Sequence, residues 1–155
     1  MSPIVPASGA RVNRGPARAA AAGVLRASIL VGSVYDWILA ALILWSPPAL
    51  LSFFRLPAPA DPFHFRFAAL PLVALPFFYL LAWRDPDRYS GVIGAMIVAR
   101  LTGFVYLALY GATRGEPAAY ALFGIGDLAF AIAHALLARR AGYARRDLFP
   151  LFTSR

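Results

Sequence analysis

A chain of 155 residues with a net charge of +8 is 61% hydrophobic and only 14% charged, at a mean hydropathy of +0.66. A soluble domain carries roughly a quarter charged residues, and a core of this length has too little interior to hide so much apolar side chain, so the excess must face lipid. Cysteine is absent, which excludes disulfides, thiolate metal ligands and Cys nucleophiles together.

All fifteen basic residues are Arg. A basic chain invites a nucleic-acid reading. Here the Arg residues lie mostly between and beside apolar runs, where they set topology and meet anionic headgroups. The expected partner is the lipid bilayer and not a nucleic acid.

In chain order, residues 1–26 read as a basic, flexible tail. They carry Arg11, Arg14, Arg18 and Arg26 without an acid, and Pro3, Pro6, Gly9, Gly15 and Pro16 discourage early structure. The Ala17–Ala22 run is able to start a helix. The following apolar stretch is too long for a signal peptide, and Trp45-Ser46-Pro47-Pro48 is a poor cleavage site, so it reads as an uncleaved first span. Spans are expected at 27–45, 67–83, 91–110 and 118–138, each near the roughly 20 residues that cross the hydrocarbon core. The runs lack strand alternation, and lipid offers backbone amides no partner, so the spans must be helices. Ser46-Pro47-Pro48, Arg84-Asp85-Pro86-Asp87-Arg88 and Gly111–Pro117 separate them. Residues 139–155 form a basic carboxy-terminal tail. The fold class is therefore an all-α, four-transmembrane-helix bundle.

Counting Arg orients it. The two tails and the turn after the second span hold eleven, against Arg55, Arg66 and Arg114 on the opposite side. Positive-inside then places both termini in the cytoplasm of a plasma (inner) membrane protein. The first outer loop, Ser46 to Arg66, holds Leu50-Leu51-Ser52-Phe53-Phe54. That segment is too short to span. It is expected to lie in the headgroup plane or to cap the mouth of the bundle.

Three ionisable residues, Asp36, Arg100 and Asp127, fall near the middle of the first, third and fourth spans. A charge at that depth costs roughly 2.5–3.5 kcal/mol on insertion scales. The three are therefore expected to meet, with Arg100 between the carboxylates, because its planar fork serves two acids by separate donors. Gly32, Asp36 and Ala40, and Gly124, Asp127, Ala131 and His134, follow the spacing of one inward helical stripe. Small residues in those stripes allow close helix approach. His134 is a candidate proton relay, set against a plain packing role. His64 and Arg66, at the outer entrance of the second span, are candidates to grip an anionic group, set against simple interfacial placement. Pro71 and Pro76 are expected to kink that span.

No HExxH, paired metal or haem His, Gly-rich phosphate loop or convincing nucleophilic Ser is present, so no metal or cofactor is expected and no motif identifies an enzyme. Pro47 or Pro48 after the first helix, Arg66 opening the second, Arg100 within the third and Asp127 in the fourth resemble the layout of the small DoxX-like membrane proteins of bacteria. Asp36 lies outside that layout. The resemblance implies a four-helix bundle and an accessory role, since members include subunits attached to quinone-linked oxidoreductases. It implies no catalytic residue. Three functions follow as expectations: an accessory subunit of a larger membrane complex or a lipophilic-ligand-binding protein, a proton-coupled transporter working through Asp36 or Asp127, and a lipid-modifying enzyme using Asp127, His134 and His64. A four-helix bundle would serve alone or as a homodimer.

Overall fold

The computed structural model describes residues 15–149. Among them there are only helices: α1 (Pro16–Trp45), α2 (Pro47–Phe53), α3 (Pro62–Phe67), α4 (Ala69–Arg84), α5 (Ser90–Arg114), α6 (Pro117–Arg140) and α7 (Arg145–Leu148). Four segments are long and apolar enough to cross a membrane: α1, α3 with α4, α5 and α6.

The helix limits follow local chemistry. Pro16 occupies the first turn of α1, where its missing amide is no loss, and a run of Ala follows. Helix therefore begins well before Ala27. Arg18 and Arg26, assigned to a flexible tail on sequence grounds, are helical, whereas residues 1–14 of that tail lie outside the described residues. At the other end Ser46, held off helical geometry by Pro47, closes α1 through a bond from its amide to the Leu42 carbonyl. The second span is broken at Ala68 into α3 and α4. Pro71 has no amide to give to the carbonyl of Phe67, four residues back, so the ladder lapses there. Pro76 lies inside α4 and removes a second bond. In the turn before it, the Trp37 indole donates to the Val73 carbonyl at 3.2 Å. Gly115, at φ 74°, supplies the left-handed residue that ends α5, and Pro117 starts α6.

The helices run up and down, with α1 beside α4 and α6, and α5 packed along α6. Contact between α4 and α5 is sparse by comparison. At the end of the bundle that carries the chain termini, Leu25, Ile29, Tyr79, Ala82, Ile93, Met96 and Ala138 form a closed core. At the opposite, loop end, Ala40, Ile43, Leu50 and Ala69 form a smaller one. α2 belongs to this second core, with Phe54 set edge-on against Phe123 at 5.1 Å. It caps the bundle. The outward faces are apolar, with Val31, Ile38, Phe77, Phe78, Leu109 and Ile125 more than a third exposed, as lipid contact requires.

The expected carboxy-terminal tail also contains structure. Beyond α6 the chain turns at Gly142 (φ 89°) and folds back along α5. The Tyr143 hydroxyl donates to Asp87 at 2.9 Å and the Ser90 hydroxyl donates to the Asp147 carbonyl at 2.9 Å. Leu148 is buried in the core of the terminal end. Residues 150–155 of that tail lie outside the described residues.

Candidate ligand cavity and charge cluster

The structure brings Asp36, Arg100 and Asp127 together at the middle of the bundle. Arg100 Nη2 donates to Asp36 Oδ2 at 2.7 Å and to the Gly32 carbonyl at 3.0 Å, while Nη1 donates to Asp127 Oδ1 at 2.8 Å. Arg100 and Asp36 are each only 3% exposed. The side chain of Asp127 is 21% exposed. The guanidinium lies 4.8 Å from the ring centre of Phe130 and 5.9 Å from those of Tyr35 and Tyr79, so aromatic rings replace part of its hydration. The carbonyl contact and the aromatic cage have no sequence signature beyond the charge itself.

Glycines permit this approach. A methyl group on Gly32 would stand 3.2 Å from Arg100 Nη2 and 3.5 Å from the His134 ring. A methyl on Gly126 would overlap the Tyr35 hydroxyl. Both inward stripes read from the sequence are buried in fact: Gly32, Asp36 and Ala40 on α1, and Gly124, Ala131 and His134 flanking Asp127 on α6.

Hydrogen bonding at the cluster is incomplete. Asp36 Oδ1 and Arg100 Nε are buried and have no partner among the described residues. His134 is fully buried and stacks on Phe130, with ring centres 5.8 Å apart. Its ring faces the backbone of Ser28, yet neither nitrogen makes a hydrogen bond of acceptable geometry. It sits across Gly32 from Arg100, on the terminal side of the cluster.

A cavity of about 1060 Å³ descends from the loop end to these charges. Leu39, Leu72, Leu75, Leu107 and Phe123 make its apolar wall, and Asp36, Tyr79, Arg100, Gly103 and Asp127 line its deep part. On α5, Gly103, Tyr106, Leu107 and Tyr110 follow Arg100 at i, i+3, i+4 spacing and line the cavity, with Tyr106 also exposed on the outside of the bundle. Gly103, Tyr79 and Tyr106 belong to no sequence motif, and that spacing is the signal that finds two of them. His134 does not line this space.

The mouth is formed by the α2–α3 loop with Asp61, by His64 on α3, and by Arg114, Glu116 and Tyr120 from the opposite side. Arg66 is exposed and stands outside the lining, so the structure does not bring it together with His64 at the entrance. His64 instead faces Asp61, Nδ1 to Oδ2 at 2.6 Å. Asp61 is also the amino-terminal cap of α3 and accepts from the Phe63 amide at 2.8 Å. The Phe63 amide first, and then the His64 side chain, hold the Asp61 carboxyl below the usual carboxylate range. A lowered folded value means that the cap contributes above the ordinary Asp range and is lost as pH falls through the lowered value. Hydrogen exchange should therefore show the amides of α3 protected down to mildly acid pH and released in stronger acid. Asp61→Ala should release them at neutral pH.

Among the described residues no group of three His, Asp or Glu is placed to hold a metal ion. No protein-family model, curated protein or solved structure matches the chain.

Proposed function

We propose that this small multi-pass membrane protein binds a lipophilic molecule in the cavity between α4 and α5. The observation that carries the reading is the cavity itself: an apolar, tyrosine-lined space of about 1060 Å³ that ends on a buried Asp-Arg-Asp cluster. Ligand sites combine an apolar wall with a few convergent polar groups. The sparse packing of α4 against α5 supports entry from the side as well as through the mouth. The excess of Arg at the terminal end supports an orientation with both termini in the cytoplasm of a bacterial inner membrane.

The other readings draw less support. A relay through His134 needs a hydrogen-bonded path, and among the described residues its ring nitrogens have no partner of acceptable geometry. An acid–base site of Asp127, His134 and His64 needs the three around one substrate, and His134 does not line the cavity that the other two share. An accessory role, as in the DoxX-like proteins, is compatible with ligand binding and predicts a stoichiometric protein partner.

The test is native mass spectrometry of the protein released from mild detergent. A small molecule is expected to be retained by the wild type. It should be lost from Gly103→Leu, because a side chain on Gly103 grows toward Asp127 in the deep part of the cavity. Val105→Leu, a change at an exposed apolar position, should retain it. Retention by all three proteins would place the molecule on the lipid-facing surface and remove the reading. A stoichiometric protein partner without a small molecule would favour the accessory role.

A further inference from the structure

We infer that the polar head of the ligand is a hydrogen-bond-donating cation, a lipophilic ammonium ion, seated on the free Asp127 oxygen of the charge cluster. The inference rests on the ligand-binding reading and assigns its chemistry.

The donors and acceptors around Arg100 do not balance. Its Nη1 and Nη2 are committed to Asp127 Oδ1, Asp36 Oδ2 and the Gly32 carbonyl. Each carboxylate spends one oxygen on Arg100 and keeps the other. Asp36 Oδ1 has no partner among the described residues and is too buried to meet a ligand directly, so it adds negative charge behind the seat. Asp127 Oδ2 accepts no hydrogen bond among the described residues, and its side chain is the most exposed of the three. It lies close to Gly103, where a Cβ would stand only 3.2 Å from this oxygen, and both residues line the cavity.

With both acids ionised the three side chains sum to one net negative charge. Within these three side chains one unused donor, Arg100 Nε, stands against two unused carboxylate oxygens. A carboxylate or phosphate head would meet like charge in a desolvated place. A neutral carbonyl head would leave Asp127 Oδ2 unmet. An ammonium head supplies the missing charge and up to three donors. Tyr79 in the deep wall adds a ring quadrupole that stabilises a cation away from water. The Leu and Phe side chains above accept the hydrocarbon part.

The test uses dodecylamine, dodecanol and dodecanoate as probes, each below its micelle-forming concentration. The protein is held in phosphatidylcholine nanodiscs, and adducts are counted by native mass spectrometry and by thermal shift. The wild type is expected to bind dodecylamine at one per chain, dodecanol more weakly and dodecanoate least. Asp127→Asn keeps the shape and the Arg100 contact but removes the charge. It should weaken dodecylamine about tenfold or more and leave dodecanol little changed. Dodecanoate bound as tightly as dodecylamine would overturn the cation assignment while the ligand-binding reading stands. Equal dodecylamine binding by the wild type and Asp127→Asn would overturn it as well. Failure of all three probes would remove the ligand-binding reading with it. If Asp127→Asn does not fold, Gly103→Leu replaces it as the blocking variant, and the order of the probes on the wild type still decides the head group.

Discussion

Arg100→Met is expected to be the most damaging single substitution in this protein. It leaves Asp36, only 3% exposed, and Asp127 facing each other at mid-bundle with no cation between them. Breaking a buried pair by removing one partner costs about 3–5 kcal/mol, a large share of a typical total stability of about 5–15 kcal/mol. The Gly32 carbonyl also loses its donor, and Tyr35, Tyr79 and Phe130 lose the group they enclose. Arg100→Lys should recover only part of the loss. An ammonium carries the charge but lacks the planar fork that reaches two acids and a carbonyl at once. The triple variant Asp36→Asn, Arg100→Met, Asp127→Asn should recover more, since it removes the unpaired charges together. Thermal unfolding in detergent checks the series. An unchanged melting temperature for Arg100→Met would mean that water reaches both carboxylates and that the cluster does not hold the helices.

The second large effect is expected at Gly94, at the terminal end of the bundle and away from the central charge cluster. The backbone of Leu148 crosses α5 at this residue so closely that a side chain on Gly94 would overlap the Leu148 carbonyl. Backbone cannot yield as a flexible side chain does. Gly94→Leu should therefore expel residues 143–149 from the bundle. Exposing Leu148 costs about 1.5–3 kcal/mol, and the bond from Tyr143 to Asp87 would go with it at about 1 kcal/mol. Trypsin should then cut rapidly after Arg145 or Arg146, both exposed in the native fold but tied beside a docked segment. Cleavage at the wild-type rate would show that this segment is held from elsewhere.

These two sites differ in how far they were legible. The charge cluster announces itself because three ionisable residues at one membrane depth have no tolerable alternative to meeting. The four long helices are equally plain, since apolar length in lipid admits one secondary structure. Gly94 carries no such sign. Its role depends on a chain reversal at Gly142 and on a Leu-Phe pair in a segment that otherwise reads as a basic tail. Local pattern says nothing about which helix receives it. Helix limits were blurred for a related reason. Charge marks where a membrane ends but does not stop a helix, so α1 starts at Pro16 and carries two Arg residues in its first turns. The break at Ala68 was foreshadowed by Pro71 only as a kink. Its position follows from the ladder bond that Pro71 cannot give to Phe67. The cavity was the least legible feature. It arises from the pairing of helices, since α4 leans on α1 and α5 on α6, and no residue encodes a space directly.

Photolabelling with a diazirine-bearing alkylamine in nanodiscs, followed by mapping of the modified residues, separates binding in the cavity from partition into the surrounding lipid. Labels are expected on cavity residues such as Leu72, Leu75, Tyr106 and Phe123, saturable by unlabelled dodecylamine and absent in Gly103→Leu. Labels spread without saturation over outward residues such as Val31, Phe77, Phe78 and Leu109 would show that the amine meets this protein only as a solute of the surrounding lipid, and would contradict the account.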